Sequence, residues 1–247
     1  MEILITNDDG WGSQGILALT DVMRTIGHVT VVAPDGARSG FSTAISCNQP
    51  MSFHKINDSD RPDADIYITS GTPSDCVKLA MDGLFKGDPH AIDLIVSGIN
   101  HGHNASINAL YSGTLGACLI AAEHNVPSIG FSINDDNRPT NLSHFLPIIP
   151  DIVQHLMDTG WPDGVCYNVN APLGEIKGLR WTRQAKGHWH DEIEQRGVDE
   201  QGDPVYWLIG DYINEEPEAT DTDLYALANG YVSIQPCSID LTYYPAL

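Results

Sequence analysis

The tightest constraint on this chain lies in its first ten residues, Met-Glu-Ile-Leu-Ile-Thr-Asn-Asp-Asp-Gly. Residues 2–6 read as a short apolar strand that Asn7-Asp8-Asp9-Gly10 stops abruptly. So short and apolar a run belongs to a strand covered on both faces, as in a parallel sheet. Open parallel sheets carry their chemistry just beyond the carboxyl ends of the strands, where Asp8 and Asp9 fall. Neighbouring carboxylates repel unless a cation neutralises them or one keeps its proton. Two oxygen donors there favour Mg²⁺, Mn²⁺ or Ca²⁺ over zinc. Asn-Asp-Asp-Gly is also good turn and helix-capping chemistry, and at this point both readings stand.

The rest of the chain repeats the pattern. Residues 11–26 carry apolar side chains at helical spacing, and residues 28–33 (HVTVVA) make a second buried strand, completing a βαβ unit. Arg38-Ser39-Gly40 follows that strand, which puts the Ser39 hydroxyl on the same rim as the two aspartates. Further strands are expected at 44–55, 66–69, 93–97, 127–133, 165–170 and 231–234, with helices at 76–84 (Thr72 as N-cap, Pro73 first), 115–122 and 142–157, the last disturbed by Pro147 and Pro150. The strand at 93–97 runs into a Gly- and Asn-rich loop containing Asn100, His101, His103 and Asn104. Either histidine there, or His188 and His190 further on, is a general-acid candidate or a plain surface residue. Residues 187–213 alternate short β-like runs around an acidic turn and predict an exposed hairpin, while 211–223 reads as a solvated acidic loop. The fold class is therefore α/β with a doubly wound, mostly parallel sheet. One domain spans 1–247, its core about 1–180 and its hairpin and C-terminal segment about 181–247.

Ser112-Gly113-Thr114 opens the helix at 115–122. Free amides, two hydroxyls and the positive end of the helix dipole make such a turn either a phosphate site or an ordinary cap. Charge sharpens the question. The 247 residues hold 33 acidic and 12 basic side chains, a formal charge of −21. Such a field disfavours nucleic-acid polymers and repels a phosphorylated small molecule unless a bound cation reverses the sign locally. Between Lys86 and Arg138 there is no Lys or Arg at all. A phosphate held by the loops at Asn100 and Ser112 must be met by a metal, amides and a helix dipole, with Arg38 the one basic side chain placed to help.

P-loop and dinucleotide glycine patterns are absent. Five scattered cysteines without a CxxC predict buried free thiols in a reducing compartment rather than a disulfide framework. No signal peptide and no apolar run of membrane-spanning length is present, so a cytoplasmic protein without a membrane partner is expected.

Taken as an ordered set, the motifs resemble the SurE survival-protein family of metal-dependent nucleoside monophosphate phosphatases. They are Asn7-Asp8-Asp9-Gly10, Val32-Ala33-Pro34-Asp35 with Arg38-Ser39-Gly40, and Gly71-Thr72-Pro73 with Asp75-Cys76-Val77. Val96-Ser97-Gly98-Ile99-Asn100 with Gly102 and Asn104, then Tyr111-Ser112-Gly113-Thr114 and Gly230-Tyr231-Val232-Ser233, complete the set. The resemblance implies a Rossmann-like fold with a hairpin and C-terminal elements used in homodimer or homotetramer assembly. It implies one divalent cation, Mg²⁺ or Mn²⁺, on Asp8, Asp9, Ser39 and Asn100. A phosphate site at Asn104, Ser112, Gly113 and Thr114 also follows, with Asp8, Asp9 and Asn104 catalytic. The implied activity is 5′-nucleotidase, extending to 3′-monophosphates and short polyphosphate. Ile120-Ala121 stands where the family usually has Glu-Gly, Ser106 where it usually has Gly, and the chain ends at Leu247 where many members continue. Two other readings compete, a Mg-dependent receiver-like signalling module and a non-catalytic nucleotide-binding protein. A receiver needs a Lys on the acidic rim, and residues 87–176 contain none.

Overall fold

A computed structural model describes residues 1–135, 137 and 139–244; Arg138 and the end of the chain at Leu247 lie outside them. The first strand, β1 (Glu2–Thr6), buries Ile3 and Ile5 on one face and Leu4 on the other, as its unbroken apolar run requires. Helix α1 (Gln14–Met23), shorter than the periodicity of 11–26 suggests, leads to β2 (His28–Pro34), which pairs parallel to β1. The chain continues through β3 (Phe53–Ile56), β4 (Ala64–Thr69), α2 (Pro73–Lys78), β5 (Leu94–His101), α3 (Gly113–Glu123), β6 (Ser128–Ile133), α4 (Ile149–Thr159) and β7 (Val165–Ala171). Then follow β8 (Leu179–Trp181), β9 (Gly187–His190), β10 (Ile193–Val198), β11 (Pro204–Leu208), β12 (Asp211–Asn214), α5 (Asp223–Ala228) and β13 (Val232–Ser238).

The main sheet has nine strands in the order β3-β4-β2-β1-β5-β6-β7-β13-β8. From β4 to β7 every neighbouring pair is parallel, while β3 and β13 enter antiparallel. The strand order runs outward from β1 in one direction through β2 and in the other through β5. That reversal opens a crevice between the carboxyl ends of β1 and β5, where open α/β sheets bind ligands. Helices α1 and α4 cover one face and α2 and α3 the other. On α4 the core-facing Ile149, Ile152, Val153 and Leu156 follow helical spacing. Each such burial contributes about 1.5–3 kcal/mol. The sheet takes strands from both sides of residue 180, since β13 inserts between β7 and β8.

Several expectations need correction. Of the strand expected at 44–55 only β3 forms. The segment before it is held as loop against the start of α2, where the Thr72 hydroxyl donates to the Ala44 carbonyl and Asp75 accepts from Ser46. The helix expected at 76–84 is α-helical only to Lys78 and continues as a π-helical turn, Leu79–Leu84. The helix expected at 142–157 is disturbed by Pro147 and Pro150 as its sequence foretells, but starts later, as a 3-10 turn at Leu146–Ile148 that becomes α4 at Ile149. The segment 211–223 is not simply a solvated loop, because β12 pairs with β9 and Asp223 is fully buried. The hairpin itself forms, β9–β12 at its stem and β10–β11 toward a tip at Asp199–Asp203. All five cysteines are free thiols, and among the described residues no helix is long and apolar enough to cross a membrane.

Candidate active site

The turn after β1 and the cavity beyond it are built by different side chains of one tetrapeptide. Asn7 is buried and makes the turn, its amide donating to the Gly10 carbonyl (3.0 Å) and Ser13 Oγ (2.8 Å) and accepting from the Gly10 N–H. Turn chemistry thus belongs to Asn7, which leaves Asp8 and Asp9 at the crevice.

A cavity of about 180 Å³ lies there, and Asp8, Ser39, Asn100, Asn104 and Ser112 line it together with His101 and His103. Asp8 is 4% exposed, and its Oδ1 accepts from the Thr114 hydroxyl at 2.7 Å. Burial pushes the Asp8 carboxyl up to about 6, the Thr114 hydroxyl opposes that shift, and the charge of Asp9 adds to it. Asp9 meets the cavity wall at His101. Its Oδ2 lies 3.0 Å from His101 Nδ1, in a pair whose side chains are 2% and 5% exposed.

Asn100 sits on β5 itself rather than in a loop after it, because the strand continues past an irregularity in its pairing with β6 at Gly98 and Asn100. Its amide nitrogen donates to the Gly102 carbonyl at 2.8 Å, which turns Oδ1 into the atom it offers elsewhere. Ser39 is exposed on the loop after β2. That loop is fastened over α3 at Gly116, where a Cβ would lie 2.1 Å from the Ser42 carbonyl oxygen.

Asn104 is anchored from three sides. Its backbone N–H donates to Asn170 Oδ1 (2.7 Å), its carbonyl accepts from Asn168 Nδ2 (2.8 Å), and its amide donates to Ser132 Oγ (2.8 Å). One amide proton remains for a ligand. Ser112 is the N-cap of α3, its Oγ accepting from the Leu115 N–H at 3.0 Å, and its hydroxyl proton remains for the cavity. Thr114 is 1% exposed and spends its hydroxyl on Asp8 instead of lining the cavity. Gly113 also serves Asp8, since a Cβ there would meet Asp8 Cβ at 2.9 Å and Oδ2 at 3.1 Å. Arg38 is not placed to help a bound anion. Its guanidinium donates to Asp35 Oδ1 (2.7 Å) and the Ser70 carbonyl (3.2 Å), while only its backbone N–H touches the site, at the Asp8 carbonyl.

The donors suit a hard divalent cation. Two neighbouring carboxylates, one with a strongly raised pKa, a hydroxyl and an amide oxygen are all oxygen ligands, and no Lys or Arg lines the cavity among the described residues. Thr114 on Asp8 and His101 on Asp9 are contacts of the kind that orient metal ligands where a metal is bound. Among the described residues no three His, Cys, Asp or Glu side chains converge on a point, so a cation here draws on neutral oxygens as well.

His103 and the hairpin residues around the cavity carry weak sequence signals. The Ala105 N–H donates to His103 Nδ1 at 3.3 Å, so the neutral ring bears its proton on Nε2. Trp189 and Tyr212 lie more than eighty residues from the loop they approach, and no local pattern announces that meeting.

Fold and site together define a doubly wound α/β protein with an acidic, oxygen-lined cavity at the topological switch point. The family described as Survival protein SurE matches residues 3–191, and the chain belongs to it. It is 42% identical over 248 residues to the 5′-nucleotidase SurE of Flavobacterium psychrophilum, covering 99% of this chain and 94% of that protein. It is 40% identical over 243 residues to the 5′-nucleotidase SurE of Phocaeicola vulgatus, covering 98% and 92%. The crystal structure of the SurE protein from Aquifex aeolicus superposes with a TM-score of 0.82 at 34% identity, covering 99% of this chain and 96% of that one.

Proposed function

We propose that this chain is a metal-dependent phosphomonoesterase that hydrolyses nucleoside 5′-monophosphates to nucleoside and phosphate. The observation that carries the reading is the convergence of Asp8, Ser39, Asn100, Asn104 and Ser112 from four chain segments on one cavity that no Lys or Arg lines among the described residues. The relatives named 5′-nucleotidase SurE support the reaction class. Asp8, Asp9, Ser39 and Asn100 would hold one Mg²⁺ or Mn²⁺, and that ion would offset the phosphate charge and polarise a phosphoryl oxygen.

The chain's own residues do the rest. The spare amide proton of Asn104 and the Ser112 hydroxyl hold phosphoryl oxygens, with the first amide of α3 at Gly113 adding its dipole. Asp8 or Asp9 orients the attacking water and takes its proton. A protonated His103, from its place in the wall, gives a proton to the departing nucleoside oxygen and is left as the neutral ring. Thr114 acts through Asp8 rather than on phosphate. The reading extends to 3′-monophosphates and short polyphosphate, to assembly as homodimers or homotetramers through the hairpin and C-terminal segment, and to a cytoplasmic setting.

Phosphate released from AMP, GMP, CMP and UMP, with chelator and then with Mg²⁺, Mn²⁺ or Ca²⁺ restored, tests the proposal. Cation-dependent multiple turnover is expected. Binding without release under every cation would leave a nucleotide-binding protein, and a stable adduct with acetyl phosphate would favour the receiver-like reading.

A further inference from the structure

Beside the strand-end cavity lies a larger one of about 520 Å³, and Gly40, Asn108 and Tyr111 line both. Its far wall comes from the hairpin, with Trp189 on β9, Leu208 on β11, and Glu192 and Ile209 between the two strand pairs. Resting on the phosphatase reading above, we infer that this second cavity is the nucleoside subsite and that Glu192 makes it select guanine over adenine.

Three observations carry the inference. The first is continuity, because a molecule with phosphate at Asn104 and Ser112 has its organic part directed past Tyr111 into the larger space. The second is the wall chemistry. Tyr111 stands 50% exposed at the border, and Trp189 is held in place rather than loose. The Trp189 indole N–H donates to Asn108 Oδ1 at 2.9 Å, and Tyr212 meets its ring edge-on at 5.8 Å and 72°. Fixed aromatic surfaces suit a flat heteroaromatic ring, and stacking on them is insensitive to which base is present.

The third observation supplies the choice. Asn108, its oxygen already accepting from Trp189, keeps its amide N–H donors for the cavity. Glu192 brings a carboxylate, which can only accept, and its backbone is fixed because its carbonyl accepts from the Ile209 N–H at 2.8 Å. Guanine presents adjacent N1–H and 2-amino donors on one edge and acceptors at O6 and N7. Adenine presents on the matching edge one donor, its 6-amino group, beside an acceptor at N1 that a carboxylate repels, so it satisfies one carboxylate oxygen where guanine satisfies two. Hypoxanthine keeps the N1–H but lacks the 2-amino group, so it ranks between them.

Calorimetric titration of the whole protein with guanosine, inosine and adenosine, none carrying phosphate, tests the subsite apart from the chemistry. Guanosine should bind about tenfold more tightly than adenosine, the increment of one good polar contact, with inosine between. Glu192→Gln should abolish that preference, and Trp189→Ala should weaken all three alike. Equal binding of guanosine and adenosine, no binding of any nucleoside, or a preference that survives Glu192→Gln would each overturn the inference. Phosphate release from GMP, IMP and AMP is read separately. Absence of release from all three sinks the phosphatase reading, and release at equal efficiency sinks the guanine choice alone.

Discussion

Thr114 Oγ1 donates to Asp8 Oδ1 at 2.7 Å, across a buried contact between the first turn of α3 and the end of β1. A threonine in a sequence position that suits phosphate binding is thereby committed to a carboxylate. It fixes which oxygen of Asp8 remains for the cavity.

Thr114→Val keeps the shape and removes the donor. Loss of an outer contact of this kind typically lowers metal affinity by about 10–100-fold. Titration with Mn²⁺ should show that loss in the variant, and an affinity within twofold of the parent would mean that the hydrogen bond does not orient a ligand.

Gly113→Ala tests the close approach of α3 to Asp8. The new methyl has no room, with Asp8 Cβ 2.9 Å away and Pro73 Cγ 3.3 Å away, so the carboxylate must shift. Misplacement on this scale can cost about 100-fold in turnover. Gly12→Ala, with nothing within 4 Å of its Cβ, is the matched control and should leave turnover unchanged.

Ser106 takes a left-handed φ of +53°, a conformation that favours glycine, yet its hydroxyl donates to the Ala185 carbonyl (2.8 Å) and meets Tyr212 Oη (2.5 Å). Its backbone N–H donates to the buried Asp223 (2.7 Å), which also accepts from the Ala185 N–H. Thermal unfolding should therefore rank wild type above Ser106→Gly and Ser106→Gly above Ser106→Ala. Alanine keeps the strain and forfeits about 1–3 kcal/mol of buried hydrogen bonding, whereas glycine at least relieves the backbone. A more stable alanine variant would contradict the account.

Asp75 gives a pH-dependent prediction. Burial pushes its carboxyl up, but N–H donors from Thr72 (2.9 Å) and Ser46 (3.0 Å) and the Ser46 hydroxyl outweigh it, leaving the pKa below the ordinary value. A depressed folded-state pKa contributes stability above the unfolded value of about 3.9 and loses it as pH falls through the folded one. Asp75→Asn should cost about 1–3 kcal/mol at neutral pH. That difference should close as pH falls below about 4, where the unfolded carboxyl protonates first. Denaturant unfolding across pH checks it, and a constant difference would refute the assignment.

What could be read from the sequence was local. The unbroken apolar run at Ile3, Leu4 and Ile5 announces a doubly covered strand, and the Thr72-Pro73 cap and the 199–203 turn form where local chemistry puts them. What could not be read depends on distant partners. Arg38 looks free to meet an anion until Asp35 and the Ser70 carbonyl are seen to hold it. Asp223 reads as one more acid in a solvated run, although it is the buried acceptor that ties the hairpin root to Ser106. The strand expected through 44–52 yields to side-chain contacts from Thr72 and Asp75, which no periodicity reports. Nor does any spacing rule bring Trp189 to Asn108.

The central claim is that two carboxylates and two neutral oxygens hold a cation without which an anionic protein cannot process an anionic substrate. Phosphate release from GMP by chelator-treated protein, titrated with Mn²⁺ in parallel for wild type and Asp9→Ala, tests it most directly. The account predicts no release before the cation is added, full recovery for the wild type, and none for Asp9→Ala at any concentration that saturates the wild type. Equal release in the presence of chelator, or recovery of the variant at the same Mn²⁺ concentration, would contradict it.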